Sequence, residues 1–115
     1  MKYIKKYNES IDFKYPSSSV EVAHICIKLG INKYAINKDY SINVIGNVDI
    51  HNDKYIKELG RLPIKIHEVR GDFNVYSCGL TTLEGCPKIV GRYFNVRDNK
   101  LTNLDLNEAT QTVLT

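Results

Sequence analysis

The segment from Val69 to Leu104 contains one pattern twice. VRGDFNVYSCGLTTLEGCPKI is followed by VGRYFNVRDNKLTNL, so Phe73 and Phe94 lie 21 residues apart with the tripeptide FNV intact. Three further apolar pairs keep this offset: Val75 and Val96, Leu80 and Leu101, Leu83 and Leu104. A period of about 20 to 29 residues is typical of repeat proteins, in which each copy stacks on the next. The repeat therefore constrains the fold more than any other feature of the chain.

A degenerate copy precedes these two. Val48, Ile50, Asp53 and Tyr55 have the internal spacing of Phe73, Val75, Cys78 and Leu80, at an offset of 25. In each copy two alternating apolar residues are expected to face inward from a short strand. An Asn or Cys at the following turn can then lie inside and hydrogen-bond backbone groups of neighbouring copies. Asn99 and Cys78 fit this position, whereas Asp53 fits less well because a buried carboxylate needs paired donors.

Two other elements are predicted before the repeats. A helix is expected over about residues 18–29, because serines at its start can cap the first turn and Gly30 can end the last one. Its apolar stripe consists of Val22, Ile25, Cys26 and Leu29. A β-hairpin is expected over about residues 33–45, with turn residues at 37–39. Its alternating apolar positions are Tyr34 and Ile36, then Tyr40, Ile42 and Val44.

The repeat unit resembles a known group. GDFNVYSCGLTTLEGCPKIVGRYFNVRDNKLTNL is similar to the leucine-rich-repeat-like small proteins of bacteriophages, which carry G-x-F-x-C-x-x-N-x-L-T-S-L-x-G-x-P repeats. The opening MKYIKKYNES and the phrase NVIGNVDIH also resemble the start of such proteins. The chain departs from the group's pattern after two and a half repeats, where LDLNEATQTVLT replaces the next copy.

This resemblance implies an α+β fold: a short leucine-rich-repeat-like solenoid with a parallel sheet and short irregular returns, capped at the N-terminus by the helix and hairpin. Residues 1–45 would form the cap, with residues 1–16 as a lead-in. Residues 46–106 would form two and a half repeats, and residues 107–115 a C-terminal cover or tail. The resemblance implies no enzyme activity and no cofactor.

Composition removes several classes of function. A net charge of +3 is too small to indicate nucleic-acid binding by itself. The chain shows neither the apolar core of a signal peptide nor a stretch of about 20 apolar residues that could span a membrane. The three cysteines share no metal-like spacing, which favours free thiols in a reducing cytoplasm, the host cytoplasm if the chain is phage-encoded. His24, His51 and His67 are also too scattered to predict a metal site.

The repeat predicts a surface made of columns. Residues next to the inward positions point outward, and stacking aligns them across strands. The predicted columns are Asn47, Asp72 and Tyr93; Asp49, Asn74 and Asn95; and His51, Tyr76 and Arg97. Tyr and Arg are favoured as binding anchors. The predicted partner-binding residues are therefore Asp49, His51, Asn74, Tyr76, Tyr93, Asn95 and Arg97, and the rival set is the N-terminal group Lys2, Tyr3, Lys5, Lys6 and Tyr7.

No set of acid, base and nucleophile converges in the sequence, so a non-catalytic protein-binding module is the leading expectation. Its partner would be a host or phage protein. The phage resemblance makes an accessory protein that blocks a host protein, such as a CRISPR-type antiphage defence effector, the most concrete version. One alternative is nucleic-acid binding through the basic, tyrosine-containing N-terminus. Another is a structural phage component that self-assembles through an uncovered end of the repeats.

Overall fold

A computed structural model of the chain describes residues 13–102. These residues form a compact α+β fold with two helices and two small sheets, one parallel and one mixed. The helices are α1 (Ser19–Leu29) and α2 (Lys54–Leu59). The strands are β1 (Tyr34–Ile36), β2 (Ile42–Val44), β3 (Val48–His51), β4 (Ile66–Val69), β5 (Phe73–Tyr76), β6 (Ile89–Val90) and β7 (Phe94–Asn95).

Helix α1 confirms the predicted helix and both of its caps. The Ser18 hydroxyl accepts a hydrogen bond from the backbone N–H of Glu21, which satisfies one of the free donors of the first turn. Gly30 ends the helix in the left-handed conformation, with φ of 76°, and its N–H bonds to carbonyls of the last turn. The side of the helix that carries Val22, Cys26 and Leu29 is buried in the core.

The predicted hairpin is confirmed, with a later second strand than expected. Strands β1 and β2 pair antiparallel, from Tyr34 opposite Val44 to Ile36 opposite Ile42. Tyr40 was predicted to begin the second strand, but it lies in the turn with φ of 68°. The turn is held by Asp39, whose carboxylate accepts hydrogen bonds from the backbone N–H and hydroxyl of Ser41. Such side-chain bonds to nearby backbone favour turns over strands.

The strands form two sheets rather than the single parallel sheet expected from the sequence. One sheet has the order β1-β2-β4-β6 and the other has the order β3-β5-β7. Every pairing except β1 with β2 is parallel. The segments predicted to be irregular returns contain β4, β6 and helix α2. Strand β2, which the sequence placed in the N-terminal cap, pairs with β4.

The register of the parallel sheet has the same offsets as the sequence pattern. Val48 pairs with Phe73 and Phe73 with Phe94, so the offsets of 25 and 21 residues seen in the sequence are the pairing offsets of the strands. The predicted inward residues Val48, Ile50, Phe73, Val75 and Val96 are buried, and Phe94 is half-buried. They belong to one apolar core that also includes the buried residues of α1, β2 and β4.

Close backbone contact between two neighbouring turns requires glycine at position 91, between β6 and β7. A Cβ atom at Gly91 would lie 2.0 Å from the carbonyl oxygen of Arg70. Gly46 also lies in a turn between two strands, but a Cβ atom added there would meet no heavy atom within 4 Å. The two glycines therefore differ in how closely the neighbouring backbone approaches them.

We expect Gly91→Ala to lower the free energy of unfolding by about 1–3 kcal/mol, because the backbone of Arg70 has to shift to admit the methyl group. Gly46→Ala is the matched control and should change stability by less than about 0.5 kcal/mol. Urea denaturation followed by circular dichroism measures both values. Equal effects of the two substitutions would contradict the close contact between the two turns.

Candidate functional site

The outward side of the β3-β5-β7 sheet carries two of the predicted columns in register. Asp49 pairs with Asn74, and Asn74 pairs with Asn95. Asp49 is exposed, whereas the two asparagines are half-buried. Because the flanking residues of each strand are buried, these side chains have no place in the core and remain on the surface. The structure therefore brings together this predicted column on one face.

The second column is a stack of side chains. The rings of His51 and Tyr76 lie parallel, with an interplanar angle of 12° and centroids 5.2 Å apart. The guanidinium carbon of Arg97 lies 4.6 Å from the centroid of the Tyr76 ring. Since β3 and β7 flank β5 on opposite sides, the Tyr76 ring is held between an imidazole and a guanidinium. Aromatic stacking and cation–π attraction each contribute about 0.5–1.5 kcal/mol, so the column has a defined shape before any partner arrives.

Arg97 remains available for a partner although it is stacked. Its Nε atom lies 3.6 Å from a carboxylate oxygen of Asp98, and the two side chains are 63% and 69% exposed. An ion pair this exposed contributes little and is easily exchanged. A stacked guanidinium also keeps its in-plane N–H groups directed outward, where they can bind a carboxylate. Arg97 is therefore the strongest candidate anchor on the face.

The remaining predicted column, Asn47, Asp72 and Tyr93, contains side chains that hydrogen-bond to the backbone of the neighbouring turn. The Asn47 side-chain oxygen accepts a hydrogen bond from the backbone N–H of Asp72, at 2.8 Å. Asp72 repeats this contact one strand later, accepting from the backbone N–H of Tyr93 at 3.1 Å. Of this column, only Tyr93 belongs to the predicted partner-binding set, and its side chain is 69% exposed. Tyr93 precedes β7 and Arg97 follows it, so the two prospective anchors flank the last strand.

Each residue of the stacked column is followed by the turn that the repeat pattern predicted, with a left-handed residue that the pattern did not specify. Asn52, Ser77 and Asp98 have φ values of 54°, 56° and 57°, in the left-handed region. Asn and Asp adopt this conformation more readily than other non-glycine residues. The residue type therefore favoured a left-handed conformation at two of the three positions, Asn52 and Asp98. The turns end the strands immediately after His51 and Tyr76, which places the stack at the rim of the face.

The predicted turn residues behave as the repeat pattern indicated. Asn99 bonds to backbone groups of the neighbouring repeat, among them the N–H of Cys78 at 3.0 Å. The Cys78 thiol lies 3.3 Å from the carbonyl oxygen of Tyr76 and 3.8 Å from that of Ile50. Asp53 is half-buried and caps α2 by accepting from the N–H of Ile56. The side chains of these three residues therefore make hydrogen bonds that stabilise the fold.

The structure assembles no metal site among residues 13–102, since no three His, Cys, Asp or Glu side chains group there. All three cysteines are buried free thiols. Burial raises the pKa of the Cys26 and Cys78 thiols, and it raises the pKa of Cys86 to about 12. A raised pKa suppresses the thiolate, which is the reactive form. The thiols therefore have the properties of packing residues.

We expect the thiols of the folded chain to resist iodoacetamide at pH 8, because they are both buried and protonated, and to react fully in denaturant. Burial disfavours the Cys86 thiolate only in the folded state, so stability is unaffected below the ordinary thiol pKa of about 8.5 and falls as the pH rises from there toward about 12. Mass spectrometry after timed alkylation measures the protection. Rapid labelling of Cys86 in the folded chain would contradict it.

A cluster that no sequence pattern predicted joins the N-terminal side of the described chain to the repeats. The Arg61 guanidinium lies 4.2 Å from the ring centroid of Phe13 and 4.9 Å from that of Tyr15. It also donates to the Tyr15 hydroxyl and pairs with Glu84 at 3.1 Å. Its side chain is only 18% exposed, so this ion pair is better shielded from solvent than that of Arg97.

The rival predicted set, Lys2, Tyr3, Lys5, Lys6 and Tyr7, lies outside the described residues. Among the residues that are described, no helix is long and apolar enough to cross a membrane. Of the predicted sites, the structure thus gives geometry to the sheet face alone. Compared with known proteins, the chain matches no protein-family model, no curated protein and no solved structure.

Proposed function

We propose that this chain is a non-catalytic protein-binding module that uses the outward face of the β3-β5-β7 sheet. The observation that carries the proposal is the preformed stack of His51, Tyr76 and Arg97 beside the polar column that begins at Asp49. Stacking holds these side chains in one arrangement, which lowers the entropy lost on binding. Tyr and Arg are also the residue types most enriched among the energetic centres of protein interfaces.

We further propose that the scaffold is a short leucine-rich-repeat-like solenoid. Three observations support this: the parallel register at offsets of 25 and 21 residues, the repeated side-chain contacts at Asn47 and Asp72, and the left-handed turn after each strand. In repeat proteins each unit contacts only its neighbours, and an extended surface crosses them. That arrangement places one recognition residue of each column on each repeat.

The size of the face limits how a partner engages it. Three strands about 4.8 Å apart, of which β3 and β5 have four residues of about 3.3 Å each, give a platform of at most roughly 10 by 13 Å. A standard protein interface covers about 800 Å² on each partner, several times this area. The partner therefore inserts a loop or strand onto the face, or its contact continues past Tyr93 onto neighbouring surface.

The kind of partner is proposed from the resemblance to phage proteins. A phage accessory protein in the host cytoplasm would bind and block a host protein, with a CRISPR-type antiphage defence effector as the concrete candidate. The scattered histidines and suppressed thiols support a role without catalysis. Nucleic-acid binding and self-assembly are the alternatives, and both make different predictions in solution.

We expect the purified chain to capture a stoichiometric protein partner from host lysate and Arg97→Ala to weaken that complex by about 2 kcal/mol, roughly 30-fold in Kd. Arg70→Ala is the matched control, because the Arg70 side chain is similarly exposed, at 70%, and lies directly after β4, a strand of the other sheet. Calorimetry or surface plasmon resonance with the identified partner measures both variants. Equal affinities of the two variants would exclude this face.

The same experiment separates the alternatives. A nucleic-acid ligand would appear as binding that falls steeply with salt concentration. Self-assembly would appear in light scattering as a mass that rises with protein concentration. Either result without a captured protein would overturn the proposed function.

A further inference from the structure

A polar groove crosses the outer side of the β1-β2-β4-β6 sheet, away from the proposed partner face. Two adjoining cavities of about 350 and 270 Å³ share Asp39, Ser41 and His67. The remaining lining residues are Asn37, Asn43, Lys65, Ile66, Cys86 and Lys88. The larger cavity alone reaches the size of small-molecule sites, which begin at about 300 Å³.

One end of the groove is held in place by its own hydrogen bonds. The Asn37 amide donates to the Ser41 hydroxyl at 2.9 Å and to the Asn43 side-chain oxygen at 3.2 Å. The Ser41 hydroxyl in turn donates to Oδ1 of Asp39 at 2.6 Å. Ser41 is only 4% exposed, so this network forms a rigid floor. Side chains fixed in this way need little reordering when a ligand binds.

Asp39 gives this end a charged acceptor. The hydrogen bonds from Ser41, aided by Lys65, lower the pKa of the Asp39 carboxyl, which keeps it ionised near neutral pH. Both bonds from Ser41 use Oδ1, and the Asp39 residue is exposed. The second carboxylate oxygen, Oδ2, can accept from an O–H or N–H group of a ligand.

The rest of the groove lining is cationic. The backbone N–H of Lys88, which directly precedes β6, donates to the carbonyl of His67 in β4. Both side chains are exposed, and neither forms an ion pair within the described part of the chain. Lys65 lines the larger cavity together with Asp39, and its Nζ atom lies 5.5 Å from the ring centroid of Tyr15. The groove lining thus contains two ammonium groups and one imidazole for a single carboxylate.

We propose that this groove binds a small phosphorylated molecule, with its phosphate held by Lys65, His67 and Lys88 and a hydroxyl or amino group of its body donating to Asp39. Lysine and histidine are suitable donors for a phosphate. The distance from β2 to β6 is two strand spacings, about 10 Å, which matches a sugar phosphate or a nucleoside monophosphate. A ligand that is anionic along its whole length is disfavoured, because the Asp39 carboxylate would repel it.

Titration of the ¹⁵N-labelled chain with ribose 5-phosphate and with adenosine monophosphate tests the proposal by NMR. At least one of the two probes should shift the amide signals of residues 37–43, 65–67 and 88 in a saturable way. Ribose and inorganic phosphate should each bind at least about tenfold more weakly than that probe. Two results would overturn the proposal: no shifts with either phosphorylated probe at millimolar concentration, or inorganic phosphate binding as tightly as both.

Charge variants locate the two ends of the bound molecule. Lys88→Glu should weaken binding of the phosphorylated probe at least about tenfold, whereas Lys54→Glu, the same charge change outside the groove, should not. Asp39→Asn should weaken binding of the probe and not that of inorganic phosphate. Unshifted signals from the β3-β5-β7 sheet confirm that each variant is folded. Equal weakening by Lys88→Glu and Lys54→Glu would show that binding depends only on the net charge of the chain, and it would overturn the proposed site.

Discussion

Replacing Phe73 with alanine is expected to lower the free energy of unfolding by about 3–5 kcal/mol. The Phe73 side chain is fully buried, and its ring stacks on that of Phe94 with centroids 5.4 Å apart. It begins β5, the central strand of its sheet, so the cavity would open between β3 and β7. Domains of this size are stable by only about 5–15 kcal/mol, and the loss is therefore a large share of the total.

Phe94→Ala is the matched control, because it removes the same ring from a half-buried position in the last strand. We expect it to cost about half as much, since the cost of a large-to-small change follows the burial of the removed atoms. Urea denaturation monitored by tyrosine fluorescence and by circular dichroism gives both values. A cost for Phe94→Ala equal to that for Phe73→Ala would place the centre of the core elsewhere.

The parallel sheet could be predicted from the sequence because its register is the repeat offset itself. Once Phe73 is aligned with Phe94, the pairing of Asn74 with Asn95 follows, since a strand alternates its faces strictly. The same alignment predicts that His51, Tyr76 and Arg97 are neighbours. It does not predict that they stack, because side-chain torsions are not set by strand order.

The other sheet could not be predicted in the same way. Strand β6 has only two residues, and β4 includes a half-buried glutamate at Glu68, so neither shows a clear alternation. Helix α2 has six residues, too few to form without tertiary contacts. It forms because Asp53 caps its start, Gly60 ends it and Ile56 is buried.

The polar groove could not be predicted from the sequence either, because it depends on local irregularities of the backbone. It depends on the turn of the hairpin, where Tyr40 adopts a left-handed conformation, and on an irregularity in the pairing of β2 with β4 between Ile42 and Asn43. That irregularity shifts the register beside His67. An irregular pairing of this kind re-aims side chains without leaving a reliable mark in the sequence.

Asn99→Ala is expected to lower the free energy of unfolding by about 2–5 kcal/mol although it removes no apolar contact. The Asn99 side-chain oxygen accepts from the backbone N–H groups of Cys78 and Leu80, at 3.0 and 3.1 Å. Its amide nitrogen donates to the carbonyl oxygens of Val75 and Val96, each at 2.9 Å. One side chain therefore satisfies backbone groups of both residues 75–80 and Val96.

The alanine variant leaves these groups without partners, and each buried unsatisfied group costs about 1–3 kcal/mol. Asn95→Ala is the control: the Asn95 side-chain oxygen accepts from the backbone N–H of Arg97 in an exposed contact, and its loss should cost less than about 1 kcal/mol. Hydrogen exchange distinguishes the mechanisms, because Asn99→Ala should speed exchange at Cys78 and Leu80 before the rest of the sheet. Uniform acceleration across the core would show that Asn99 contributes only to global stability and does not hold these two segments together locally.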